Sequence, residues 1–90
     1  MMPIEFRPTL SQCVETLAKR EYRESLQGYM ASTENSEALA EKIELLRLFL
    51  ESADFSKLRA ESEKWLSAGR GVKFILRLEN GKPETKLILE

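Results

Sequence analysis

The 90-residue chain contains no histidine and a single cysteine, Cys13. Without imidazole it lacks the commonest general base, the usual pH switch near neutrality and the commonest nitrogen ligand for a metal. One cysteine forms no internal disulfide, which fits a reducing compartment. The net charge is −1, so no global field draws the chain to nucleic acid or to a membrane surface. Long apolar runs are missing as well, because Glu44, Arg47 and Glu51 interrupt the best candidate before it reaches the length of a bilayer span. Residues 1–8 show neither a basic leader nor an apolar signal core, so no secretory signal is expected. These absences predict a cytoplasmic protein with no cofactor, no metal and no membrane contact.

What is present is an ordinary globular composition. Hydrophobic residues make up 42% and charged residues 32% of the chain, too apolar a mixture for wholesale disorder. Ninety residues make a single domain, 1–90, with a modest core.

The densest apolar stretch is Glu41–Glu51. At 100° per residue, Leu39, Ile43, Leu46 and Leu50 fall on one line, and Ala38, Leu45 and Phe49 widen it to an arc of roughly 160°. An arc that broad predicts a central helix covered from two directions. Glu44, Arg47 and Glu51 gather on the opposite side, where Arg47 can meet both acids. Leu48 lies among these charges, either as a lone exposed leucine or as one edge of an interaction surface.

Before that helix, Ile4 and Phe6 alternate with Glu5 and Arg7 between Pro3 and Pro8, a short strand suited to a sheet edge. Thr9 and Gln12 match a capping box, which predicts that the first helix starts there. Leu10, Cys13, Val14, Leu17 and Ala18 share its apolar face. Beyond Lys19-Arg20-Glu21 the apolar residues change sides: Tyr22, Leu26 and Tyr29 line up about 120° away. Either the helix breaks there, or its second half packs on something different. Gly28 is placed to close it with a left-handed cap, residues 31–35 read as a loop, and Ser36 is the expected cap of the central helix.

The central helix should stop near Ser52. Asp54 or Ser56 caps a third helix, with Phe55 and Ala60 forming a hydrophobic staple if Ser56 is the cap. Leu58, Trp65 and Leu66 form its apolar stripe, Arg59 and Glu63 pair across one turn, and Gly69 supplies the stop. From Val72 onward apolar and polar residues alternate. Asn80-Gly81 is the favoured type I′ pair. A two-residue loop sets Glu79 opposite Lys82, Arg77 opposite Glu84, Phe74 opposite Leu87 and Val72 opposite Leu89, matching charges outside and apolar residues inside. Ile75 and Ile88 are then diagonal neighbours on the outer face. The expected fold is α+β: three helices on one face of a small antiparallel sheet, order β-α-α-α-β-β, with the hairpin at its C-terminal end and a free edge.

Catalysis needs convergent groups, and the chain offers none. Cys13, on an apolar helix face with nothing to activate it, reads as a buried structural thiol. Glu21 and Glu24 read as a face that has turned to solvent. The expectation is therefore no enzyme. The residual apolar material points instead to a protein-interaction or structural module that binds a protein partner or itself. Its candidate contact residues are Tyr22, Leu26, Tyr29, Met30 and Leu48, of kinds that interfaces favour, with the free sheet edge as a second surface. A symmetric homodimer is the simplest use of such a surface. The alternative is that the same residues pack inside one chain.

The helix–helix–helix–hairpin order also resembles a winged-helix arrangement. That resemblance rests on topology and on no motif. It implies nucleic-acid binding, with the third helix in the major groove, the Asn80-Gly81 loop as wing, and Arg70, Lys73, Arg77, Lys82 and Lys86 on phosphate. Glu61 and Glu63 on the third helix weigh against it.

Overall fold

A computed structural model describes residues 3–31 and 37–90. The elements are β1 (Ile4–Phe6), α1 (Val14–Ala31), α2 (Glu37–Ser52), α3 (Phe55–Ser67), β2 (Val72–Glu79) and β3 (Lys82–Leu89). The expected β-α-α-α-β-β order is present, with β1-β2-β3 forming one antiparallel sheet.

The hairpin has the register that its alternation predicts, from Glu79 opposite Lys82 to Val72 opposite Leu89. Asn80 (φ 52°) and Gly81 (φ 76°) both take the left-handed conformation that a type I′ turn requires. On the other side of β2, Ile4 pairs with Leu76 and Phe6 with Phe74. The inner sheet face (Ile4, Phe6, Val72, Phe74 and Leu76) meets Val14, Leu17 and Ala18 of α1, Leu45, Leu46 and Phe49 of α2, and Leu58 of α3. Phe49 sits at the junction, stacked on Phe6 (6.1 Å) and edge-on to Phe55 (5.3 Å). Arg47 bonds both Glu44 and Glu51 on the solvent side of α2. Its bond holds the Glu44 carboxyl below the usual carboxylate range, a surface effect that adds little to stability.

Two local expectations are corrected, and a third is decided between its two alternatives. Thr9 does accept the Gln12 N–H (3.1 Å), yet the helix starts at Val14. The Gln12 carbonyl is turned back to accept the Thr9 N–H (2.9 Å), so this turn closes on itself. The first forward helical bond is Leu17 N–H to Cys13 C=O. Leu10, expected on the buried face, is therefore 62% exposed.

Gly28 is not a cap but lies within α1, which runs to Ala31. A Cβ built there would meet Leu39 Cδ2 of α2 at 3.8 Å, an ordinary contact. Gly28→Ala should therefore stabilise the fold by about 0.5–1 kcal/mol, read as a rise in thermal midpoint. Residues 32–35 of the expected loop, and Ser36 as the cap of α2, lie outside the described residues.

Asp54, rather than Ser56, caps α3 by accepting the Lys57 N–H (3.2 Å). Phe55 then becomes the first helical residue and turns onto Phe49, while Ala60 is exposed, so no staple forms. At the other end of α3, Gly69 (φ 82°) donates to Leu66 C=O and Arg70 to Trp65 C=O. That pair of bonds is a Schellman motif.

Candidate interaction surface

The apolar stripe of α1 changes sides without a break in the helix. Its first half faces the sheet. Its second half packs along the first half of α2, running antiparallel to it: Glu21 pairs with Lys42, and Gly28 lies beside Leu39. The core cluster takes nothing from α1 beyond Tyr22 and nothing from α2 before Leu45. The outer halves of the two helices thus pack on each other beyond the core cluster and extend a molecule 45 Å long and 28 × 22 Å across.

The five candidate contact residues part company here. Tyr22 packs against the core cluster, half-buried. Leu26 is half-buried on the α1–α2 extension. Tyr29 and Met30 stand at its end, 41% and 78% exposed. Leu48 is half-buried on the second half of α2, about 14 Å along the helix from Leu39. The fold therefore gathers Leu26, Tyr29 and Met30 at one end and leaves Tyr22 and Leu48 elsewhere.

A second uncovered surface is the free side of β3. Its inward-facing residues Pro83, Thr85, Leu87 and Leu89 are only half-buried, whereas Val72, Phe74 and Leu76 opposite them on β2 are buried. Leu78, at the turn end, is 38% exposed. α2 reaches β3, and Leu87 and Leu89 pack on the core cluster, but the helix layer covers this strand only in part. A groove of about 300 Å³ opens at this margin, where Phe49, Ala53, Leu58 and Pro83 line it together with Ser52, Asp54, Lys57, Glu61, Glu84 and Thr85. Spacing alone gives no sign of how far a helix layer extends over a sheet, so Leu87 and Leu89 read as core in the sequence.

The cations of the duplex-binding alternative are interleaved with carboxylates. Lys73, Arg77 and Lys86 share the outer sheet face with Glu5 and Glu84; Lys82 is set against Glu79 at the turn, and Arg70 follows α3. Lys73 lies 3.9 Å from Glu5.

Cys13 departs from the expected buried thiol. It is half-buried at the N-terminus of α1, at a hollow of about 200 Å³ shared with Thr16, Arg59 and Ser62. The Thr16 hydroxyl, 3.4 Å from Sγ, holds the thiol below its ordinary value; the Thr16 amide and the Arg59 charge act in the same direction. Alkylation by iodoacetamide should therefore reach half its maximal rate at a lower pH in the folded chain than in the urea-unfolded chain. Thr16→Val should move that midpoint up. Glu21 is tied to Lys42 and Glu24 is exposed. Among the described residues no three cysteine or carboxylate side chains gather as a metal site, and no helix is long and apolar enough to cross a membrane.

The chain belongs to a protein family whose match covers residues 2–86. No curated protein and no solved structure matches it.

Proposed function

We propose that this family member is a small cytoplasmic interaction module that catalyses no reaction and works as a homodimer. The observation that carries the reading is apolar surface left uncovered by the chain's own fold. Tyr29 and Met30 are exposed at the end of the α1–α2 extension beside half-buried Leu26, and the inner side of β3 is half-open. Large apolar residues grouped in this way serve contacts with other proteins. A two-fold pairing uses one such patch on both copies.

The duplex-binding alternative draws no comparable support. Its cations are interleaved with Glu5, Glu79 and Glu84, and such mixing weakens attraction to a phosphate backbone.

Sedimentation equilibrium of the full chain tests the reading. A dimer at high micromolar concentration is the expected result, and a monomer throughout that range would overturn it.

A further inference from the structure

We infer that two copies join through β3, antiparallel and in one register, with Thr85 facing Thr85 of the second copy across the two-fold axis. This rests on the homodimer reading and specifies its contact.

The hydrogen-bonding phase of β3 is fixed by its own hairpin. In a two-residue loop the flanking pair, Glu79 and Lys82, is bonded, and bonded pairs recur at every second position. The Glu90 N–H to Gly71 C=O bond (2.9 Å) continues that series. The backbone groups of Thr85, Leu87 and Leu89, with the Pro83 carbonyl, therefore point away from β2 to the open edge. Among the described residues no loop or helix bonds to them. An open strand edge is a template for another strand.

Charge then selects the register. With Thr85 on the axis, Glu84 of each copy faces Lys86 of the other, twice, and no like charges oppose. Opposite charges across strands stabilise pairing and like charges weaken it. Moving the axis to residue 86 sets lysine against lysine, and moving it to residue 87 sets Glu84 against Glu90. An axis at residue 88 would engage Glu90, whose carboxylate already holds Arg7 (3.0 Å), and would leave Thr85 and the groove uncovered.

In the inferred register Thr85 N–H reaches Thr85 C=O of the other copy, and Leu87 N–H reaches Pro83 C=O. Pro83, lacking an N–H, sits where the pairing runs out. Leu87 of each copy comes opposite Pro83, at the mouth of the groove that Ala53, Asp54, Lys57 and Glu61 help to line, and gains cover that one chain gives it only in part. A contact built on Tyr29, Met30 and part of Leu26 is small beside the roughly 1,000 Å² that stable pairs bury. The helical extensions then stay free at the two far ends.

Cross-linking in a Cys13→Ser background tests the register. Facing residues of a bonded antiparallel pair lie about 5.5 Å apart at Cα, within disulfide reach. Thr85→Cys should give a disulfide-linked dimer under mild oxidation, and Lys82→Cys should not. Lys86→Glu should weaken the dimer about tenfold, and Glu84→Lys combined with Lys86→Glu should recover most of that loss, with melting curves confirming the fold. A sedimentation dimer that Thr85→Cys fails to cross-link, or that Tyr29→Ser/Met30→Ser dissolves, would overturn the β3 contact and leave the homodimer standing. Equal cross-linking at positions 82 and 85 would also overturn it. A monomer throughout would overturn both.

Discussion

Phe49→Ala is expected to remove about 3–5 kcal/mol of folding stability. Phe49 is buried and joins α2 to β1 through Phe6 and to α3 through Phe55. Truncation would lose the transfer energy of the ring and two aromatic contacts. It would also leave a cavity between elements that the backbone holds apart. A domain of this kind holds roughly 5–15 kcal/mol in all, so the variant should be near the limit of folding at 37 °C. Urea unfolding followed by the fluorescence of Trp65, the chain's only tryptophan, checks this. A midpoint shift with unchanged slope is the expected form. A loss under about 1 kcal/mol would mean that Phe49 is not the junction described, since core phenylalanines do not yield so little.

Gly69→Ala should cost about 1–2 kcal/mol, the penalty for an L-residue in the left-handed region. Apart from its chain neighbours, no atom of the described residues lies within 4 Å of a Cβ built there, so the loss is one of backbone conformation and not of crowding. Two bonds depend on that conformation: those from Gly69 and Arg70 to Leu66 and Trp65. They turn the chain from α3 into β2, so the effect should appear in the hairpin as well as at the helix end. Gly69→Asn should recover part of the loss, because asparagine tolerates this region. The same Gly→Ala exchange at Gly28 carries the opposite sign, since that residue is helical. Thermal midpoints of the two variants give the comparison directly.

How much could be read in advance varied with how many constraints met at each element. The β2–β3 hairpin was legible because turn chemistry at Asn80-Gly81 and the pairing of charges and apolar residues point independently to one register. The Schellman end of α3 was legible for a similar reason: a glycine follows an apolar stripe that stops. The start of α1 was not. The Thr9–Gln12 bond that a capping box requires does form, but the same residues also close a turn of their own, and spacing does not distinguish the two. Gly28 shows a related ambiguity. A glycine where an apolar stripe ends reads as a left-handed cap, and only the continuation of α1 to Ala31 shows that Gly28 is an ordinary helical position.

The candidate surface was legible in part. The change of side in α1 correctly marked a half that leaves the sheet, and Tyr29 and Met30 stand exposed there. Tyr22 and Leu48 depend on what their neighbours cover, which no periodicity records. The half-open inner side of β3 was invisible for that reason too: Leu87 and Leu89 have the pattern of core residues and do pack on the core, and only the reach of the helix layer decides that they stay half-buried.

Backbone amide hydrogen exchange at Thr85 and Leu87, measured on the full chain across a concentration series, tests the central claim most directly. If copies join along this strand, both amides are slow to exchange in concentrated solution and become fast on dilution, while Phe74 and Leu76 stay protected throughout. Rapid exchange at Thr85 and Leu87 at every concentration, with the rest of the sheet protected, would contradict it.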